Sequence, residues 1–368
     1  MLQNDFAEEA SVDRHSRTNS RISPWKRAAI IAALLAAMVL ISVCVMLYLG
    51  RVPEDGEGEG EVKPPEPAFV IPQTGMTEAV PWEYDEPAEH QGTIEELTYE
   101  SWDYAGENTP VEKTAYVYLP YGYDPADYET RYDILYLMHV WQGSADEYFT
   151  VGSGMIINMI DHMIENGEIK PMIIVAGSFY NENSYYDFDS STQELKAFHR
   201  DFEENLMPAA ERRYHSYAEN TSRQELMASR DHRAFGGFSL GSVTTWNAFC
   251  YDADYIRWFL PMSGSCWYYG GNMDYYPKEN CDYFETMIRD KNLDERGYFI
   301  YAATGTDDSM QPQMDALMDE MFSRSRFTAD HVVYYKREGG EHDFASVQEY
   351  LYNALPLFFQ GVEGSDPQ

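Results

Sequence analysis

The sequence predicts an α/β fold: a mostly parallel central sheet with helices on both faces, preceded by one transmembrane helix. Three observations carry this. From Tyr116 onward, strand-like runs alternate with helix-like stretches, the order that builds parallel sheets. Residues 28–49 form an uncharged run of 22 residues. Gly237-Phe238-Ser239-Leu240-Gly241 lies directly between a strand-like run, 232–235, and a helix-like one, 242–250.

At 1.5 Å per helical residue the apolar run is long enough to cross a hydrocarbon layer of about 30 Å. Arg14, Arg17, Arg21, Lys26 and Arg27 precede it and few bases follow, which keeps residues 1–27 cytoplasmic and exports the remainder. Segment 28–50 is therefore expected to be an uncleaved, single-pass anchor in the cell membrane. It is longer than a signal-peptide core and lacks a small-x-small site at its end. Residues 51–88 are the expected linker, because Gly56-Glu57-Gly58-Glu59-Gly60-Glu61 and Pro64-Pro65-Glu66-Pro67 repel one another and cannot bury apolar area. Residues 89–362 then make one extracellular domain of ordinary size. The formal net charge of −36 argues against nucleic acid and anionic lipid as partners of that domain.

Within the domain, 172–176, 256–262, 298–303 and 331–335 read as strands, and 310–322 and 345–359 as helices. The strand, tight turn and helix around Ser239 form a nucleophile-elbow pattern, in which any side chain at Gly237 or Gly241 would collide with the packed strand and helix. Leu240 would offer its backbone N–H at the helix start, where unpaired donors and the dipole favour an oxyanion. A serine hydroxyl needs a histidine base, and the imidazole needs a carboxylate. In the α/β-hydrolase order both follow the serine. His331 opens a strand, whereas His342 lies on a strand-to-helix loop after Gly339-Gly340-Glu341 and is the better base. Asp307 and Asp308 end the strand 298–303, and either could orient His342 or cap the next helix.

The ordered motifs resemble those of the esterase D and feruloyl esterase group, carbohydrate esterase family 1, over about residues 90 to 360. Val117-Tyr118-Leu119-Pro120-Tyr121-Gly122-Tyr123-Asp124 is similar to the family's "vYlPpgYd", Leu135-Tyr136-Leu137-Met138-His139 to "lYllHG", and Ile169-Lys170-Pro171-Met172-Ile173-Ile174-Val175 to "ikPliiv". Residues 202–214, with Leu206-Met207-Pro208, resemble "dLiPyiEsnY", and 233–241 resemble "raiaGlSmGG". The resemblance implies an α/β-hydrolase fold with Ser239 as nucleophile, Asp308 as the acid from "GtnD" and His342 as the base from "GGgHdf". It implies no cofactor and no metal. Two departures stand out. His139-Val140-Trp141-Gln142-Gly143 replaces the usual His-Gly and glycine-rich turn, which makes the Trp141 N–H the candidate second oxyanion donor, and Ser242 replaces a glycine.

No zinc spacing is evident, and Asp187-Phe188-Asp189-Ser190-Ser191 reads as a solvated turn rather than a calcium loop. Cys250, Cys266 and Cys281 are expected as free or buried thiols, with a Cys266 to Cys281 bridge as the alternative. Trp267, Tyr268 and Tyr180 sit on loops after predicted strands and are the candidate substrate-binding rings, since flat rings suit sugar faces and aromatic acyl groups. The expected function is a serine carbohydrate esterase removing feruloyl or acetyl groups from a plant polysaccharide such as xylan. The rival readings are acyl transfer to an envelope sugar and a catalytically silent polysaccharide-binding surface protein. The altered 139–143 turn favours the last of these.

Overall fold

The computed structural model describes residues 79–181, 185–271 and 275–362. The chain divides into two units, 1–64 and 65–368, and every described residue lies in the second. The expected cytoplasmic segment, the apolar span 28–50 and most of the linker fall outside the described residues. Among the described residues no helix is long and apolar enough to cross a membrane.

Eight strands form one sheet: β1 (Thr93–Trp102), β2 (Pro110–Leu119), β3 (Asp133–Met138), β4 (Met172–Gly177), β5 (Arg233–Phe238), β6 (Trp258–Met262), β7 (Phe299–Gly305) and β8 (Val332–Arg337). Their spatial order is β1-β2-β4-β3-β5-β6-β7-β8. Strands β3 to β8 pair in parallel, and β1 and β2 add an antiparallel edge. Burial explains the sequence pattern. β1 alternates, burying Leu97, Tyr99 and Ser101 from its second half, while every residue of β3, β4, β5, β6 and β7 is buried. Strands covered on both faces read as continuous apolar runs, and an edge strand with one wet face reads as alternation.

The α-helices of six or more residues are α1 (Met155–Glu165), α2 (Phe188–Asp201), α3 (Met207–Arg213), α4 (Arg223–Ala228), α5 (Leu240–Asp252), α6 (Pro277–Asp290), α7 (Gln311–Phe322) and α8 (Phe344–Ala354). They cover two separate cores. Tyr136, Phe235, Phe259 and Ile300 point to one face with α2, α5 and α7, whereas Leu135, Ala234, Trp258 and Tyr301 point to the other with α1 and α8. Residues adjacent in a strand project to opposite faces, so each strand feeds both cores. Helix α5 is buried along its whole length except at Tyr251, and its buried Thr244 and Thr245 hydroxyls donate to the Leu240 and Gly241 carbonyls at 2.9 and 2.8 Å.

The packed unit begins before residue 89. Tyr84 is buried against the α1 side, stacks on His162 at 4.7 Å and donates to Glu168 at 2.5 Å. The Asp85 carbonyl and carboxylate accept from Asn158 and Gln348 at 2.7 and 2.9 Å. The linker reading therefore extends too far, because the aromatic and polar side chains of this stretch have partners that are distant in sequence.

Candidate active site

β3 is flanked by β4 on one side and β5 on the other, so the winding direction reverses there. Such a switch point opens a crevice at the carboxyl ends of the strands. The elbow follows β5 and the 139–143 turn follows β3, which places both at its rim.

Ser239 has φ 59° and ψ −117°, a left-handed backbone that non-glycine residues rarely adopt. Close backbone packing imposes it. A Cβ on Gly237 would lie 2.5 Å from the Gly241 backbone, one on Gly241 2.0 Å from the Met138 carbonyl oxygen, and one on Gly264 2.5 Å from the Ser239 carbonyl oxygen. Ser242 fits because its buried hydroxyl donates to the Gly264 carbonyl at 2.6 Å. Leu240, first in α5, has no intrahelical acceptor for its N–H.

The other two members arrive on loops that are joined to each other. A Cβ on Gly305 would lie 1.9 Å from the Gly340 carbonyl oxygen, the Asp307 N–H donates to that oxygen at 3.0 Å, and the Thr306 N–H donates to the Arg337 carbonyl at 2.9 Å. Asp308 is buried and takes the orienting role, while the cap position of α7 is Met310, which has no side-chain cap. One carboxylate oxygen accepts the Met310 N–H at 2.7 Å ahead of α7, and both oxygens face His342 Nδ1 at 2.9 and 3.0 Å. Asp307 is exposed and is not on this path. With Asp308 as acceptor, His342 Nδ1 carries the proton, which leaves Nε2 to accept from the Ser239 hydroxyl 3.0 Å away. The Phe238 ring lies 4.4 Å from the imidazole, and Asp343 caps α8 by accepting the Ser346 N–H at 2.8 Å. Asp308, His342 and Ser239 thus form a continuous hydrogen-bonded chain.

His331, at the start of β8, stacks on Tyr298 and bonds its carbonyl at 3.1 Å, a structural place. Asp187 is a helix cap, accepting the Ser190 N–H at 2.8 Å, where a simple turn was expected. Cys250, Cys266 and Cys281 are buried and unbridged, and burial pushes the Cys281 thiol up to about 12.

The substrate-ring expectations need correction. Trp267 is buried in the core and its Nε1–H donates to Gln313 at 3.0 Å, so α7 has closed over a side chain that the sequence placed in the cleft. Tyr268 stacks on Tyr283 at 4.1 Å and packs near Tyr251. Tyr180 reaches the 139–143 turn instead, accepting the Gln142 N–H at 2.7 Å. Trp141 is partly exposed, meets the Phe188 ring edge-on at 5.3 Å, and its N–H has no acceptor among the described residues. Sequence reasoning missed Tyr185 and Ser178, which support the turn from beyond β4; only their position after a strand that neighbours β3 could have signalled them. Open grooves of about 880 and 590 Å³ lie elsewhere and include neither Ser239 nor His342.

The fold and the serine, histidine and aspartate chain define a serine hydrolase of the α/β-hydrolase class. No family model matches the chain. It is 34% identical over 303 residues to endo-1,4-beta-xylanase Y of Acetivibrio thermocellus, an alignment covering 80% of this chain and 26% of the xylanase. The solved feruloyl esterase module from Clostridium thermocellum, a serine-to-alanine mutant complexed with sinapinate, is 32% identical with a TM-score of 0.70 over 82% of this chain and 99% of the module. A ferulic acid esterase of the anaerobic fungus Anaeromyces mucronatus shares the fold at 19% identity, with a TM-score of 0.56 over 77% of this chain and 97% of the fungal one. The chain belongs to the feruloyl esterase family.

Proposed function

We propose that this protein hydrolyses feruloyl esters on xylan, with acetyl esters as the second acyl class, from an anchored position outside the cell. The observation that carries the reading is the unbroken chain from Asp308 through His342 to Ser239 Oγ. As Ser239 attacks the ester carbonyl, His342 Nε2 takes its proton, and Asp308 steadies the imidazolium. The N–H groups of Leu240 and Trp141 hold the oxyanion. His342 then returns the proton to the leaving sugar oxygen, and water, activated by the same imidazole, releases the acyl group from Ser239.

Feruloyl is preferred over acetyl because the module at 32% identity is a feruloyl esterase complexed with sinapinate, and the relative at 34% is a xylanase. The chain spans only about a quarter of that xylanase, so activity on intact xylan is part of the proposal. The anchored, outward-facing location rests on the apolar run 28–49 and the basic residues before it.

Replacing Ser239 with Ala is expected to abolish hydrolysis of a 4-nitrophenyl acyl ester and labelling by a fluorophosphonate while the protein stays folded. Turnover that persists in that variant rules the assignment out. Release of acid from methyl ferulate against acetate from acetylated xylan then decides the acyl class.

A further inference from the structure

The turn after β3 requires a support that its sequence does not supply. Val140 to Gly143 close through the Gly143 N–H donating to the Val140 carbonyl at 3.1 Å, with Gln142 at φ 58°. A left-handed backbone at the third position of such a turn ordinarily selects glycine, because a Cβ crowds the following carbonyl. Here it is glutamine.

Two tyrosines from the loop after β4 hold that residue by its backbone. The Tyr180 hydroxyl accepts the Gln142 N–H at 2.7 Å, and the Tyr185 hydroxyl donates to the Gln142 carbonyl. Tyr180 is itself fixed: its ring stacks on buried His139 at 4.8 Å, and its N–H donates to Ser178 Oγ at 3.1 Å. His139 Nδ1–H donates to the Val140 carbonyl at 2.7 Å, and Nε2 accepts from the Ser178 hydroxyl at 2.8 Å. With the Gln142 N–H committed to Tyr180, the Trp141 N–H is the neighbouring donor left without an acceptor among the described residues.

We propose that Tyr180, assisted by Tyr185, is a positioning residue for ester hydrolysis: its hydroxyl fixes the central peptide of the turn and so the place of the Trp141 N–H in the oxyanion hole. Hydrogen bonds from a neighbouring loop do here what a glycine does through conformational freedom. The inference rests on the esterase reading and on Trp141 as second donor. It also assigns the Tyr180 hydroxyl to the turn rather than to the substrate.

Steady-state kinetics of the full chain on 4-nitrophenyl acetate and methyl ferulate test it. Losing an oxyanion donor outright costs about 10²–10³ in kcat, so a displaced one is expected to cost about tenfold in Tyr180→Phe, with KM within about twofold. Gln142→Gly added to Tyr180→Phe is expected to recover most of that loss, since glycine adopts the turn without the hydroxyl. If Tyr180→Phe fails to fold by circular dichroism, Tyr185→Phe carries the same test, with an expected loss of about threefold on the same reasoning. The inference is overturned by an unmoved kcat, by a loss confined to KM, or by a double variant no better than the single one. Wild-type protein inert on both esters would overturn the esterase reading together with the inference, whereas active wild type with an unchanged Tyr180→Phe overturns the inference alone.

Discussion

Ser239 and Gln142 sit beyond the ends of adjacent parallel strands with nearly the same left-handed φ, 59° and 58°, and neither is glycine. What holds them differs. Around Ser239 three glycines bring backbone against backbone, and the Ser239 N–H donates to the Met262 carbonyl at 2.9 Å. Around Gln142 the support is side chain on backbone, from Tyr180 and Tyr185. Contacts without side chains leave no room for substitution, so the elbow is all or none. Contacts through hydroxyl groups can be removed one at a time, which makes the turn the adjustable half of the site.

The largest expected effect sets the scale for losing the relay that both halves serve. Asp308→Asn should lower kcat by about 10⁴ through the wrong imidazole tautomer, with a thermal midpoint close to wild type because the Asn amide oxygen can still accept the Met310 N–H. A loss below tenfold would show that Asp308 does not orient His342. Gly241→Ala comes next. Its Cβ would sit 2.0 Å from the Met138 oxygen, parting α5 from β3 and moving Ser239 and the 139–143 turn together. The cost should be about 10² or more in kcat/KM, with overpacking that lowers stability by about 1–3 kcal/mol. Wild-type kinetics in that variant would break the comparison outright.

The turn also carries a titratable support, which the glycine contacts lack. Burial holds His139 down to about 4, against an ordinary value of 6.5. Between those pH values the unfolded chain takes up a proton that the folded one refuses, so His139 lowers stability as pH falls from about 6.5 to about 4. The difference amounts to at most about 3 kcal/mol. Denaturant unfolding at pH 7, 5 and 4 should show His139→Gln losing less stability on acidification than wild type by up to that amount; parallel curves would refute it. The smallest effect lies outside both halves. Asp343→Ala removes the cap beside His342 and should cost about 1 kcal/mol of stability with kcat reduced less than threefold, readable as a shift in urea midpoint.

Local chemistry made much of this legible. Two glycines bracketing a serine between a strand-like and a helix-like run specify an elbow because its steric requirement is met by residues two positions away on either side. Gly305 and Gly340 likewise announced two strand-end loops, and His342 could be read from its place there, while Asp307 and Asp308 stayed equivalent until the family resemblance singled out Asp308. The aromatic loops were different. Trp267 looked like a cleft ring until Gln313, 46 residues on, took its indole N–H and α7 covered it. Tyr84 lay in what read as linker until partners on α1 and α8 buried its neighbourhood.

The sequence by itself determined the strand and helix alternation, the mostly parallel sheet, the elbow serine and the loop histidine, since each follows from periodicity or from a tight turn's local demands, whereas Asp308 was set apart from Asp307 by resemblance to the family's loop. Tertiary structure alone decided which aromatics face the core, which turn N–H stays unpaired and which tyrosines hold Gln142. Those outcomes depend on contacts between strands distant in the chain, where no residue's neighbours in sequence record what will pack against it.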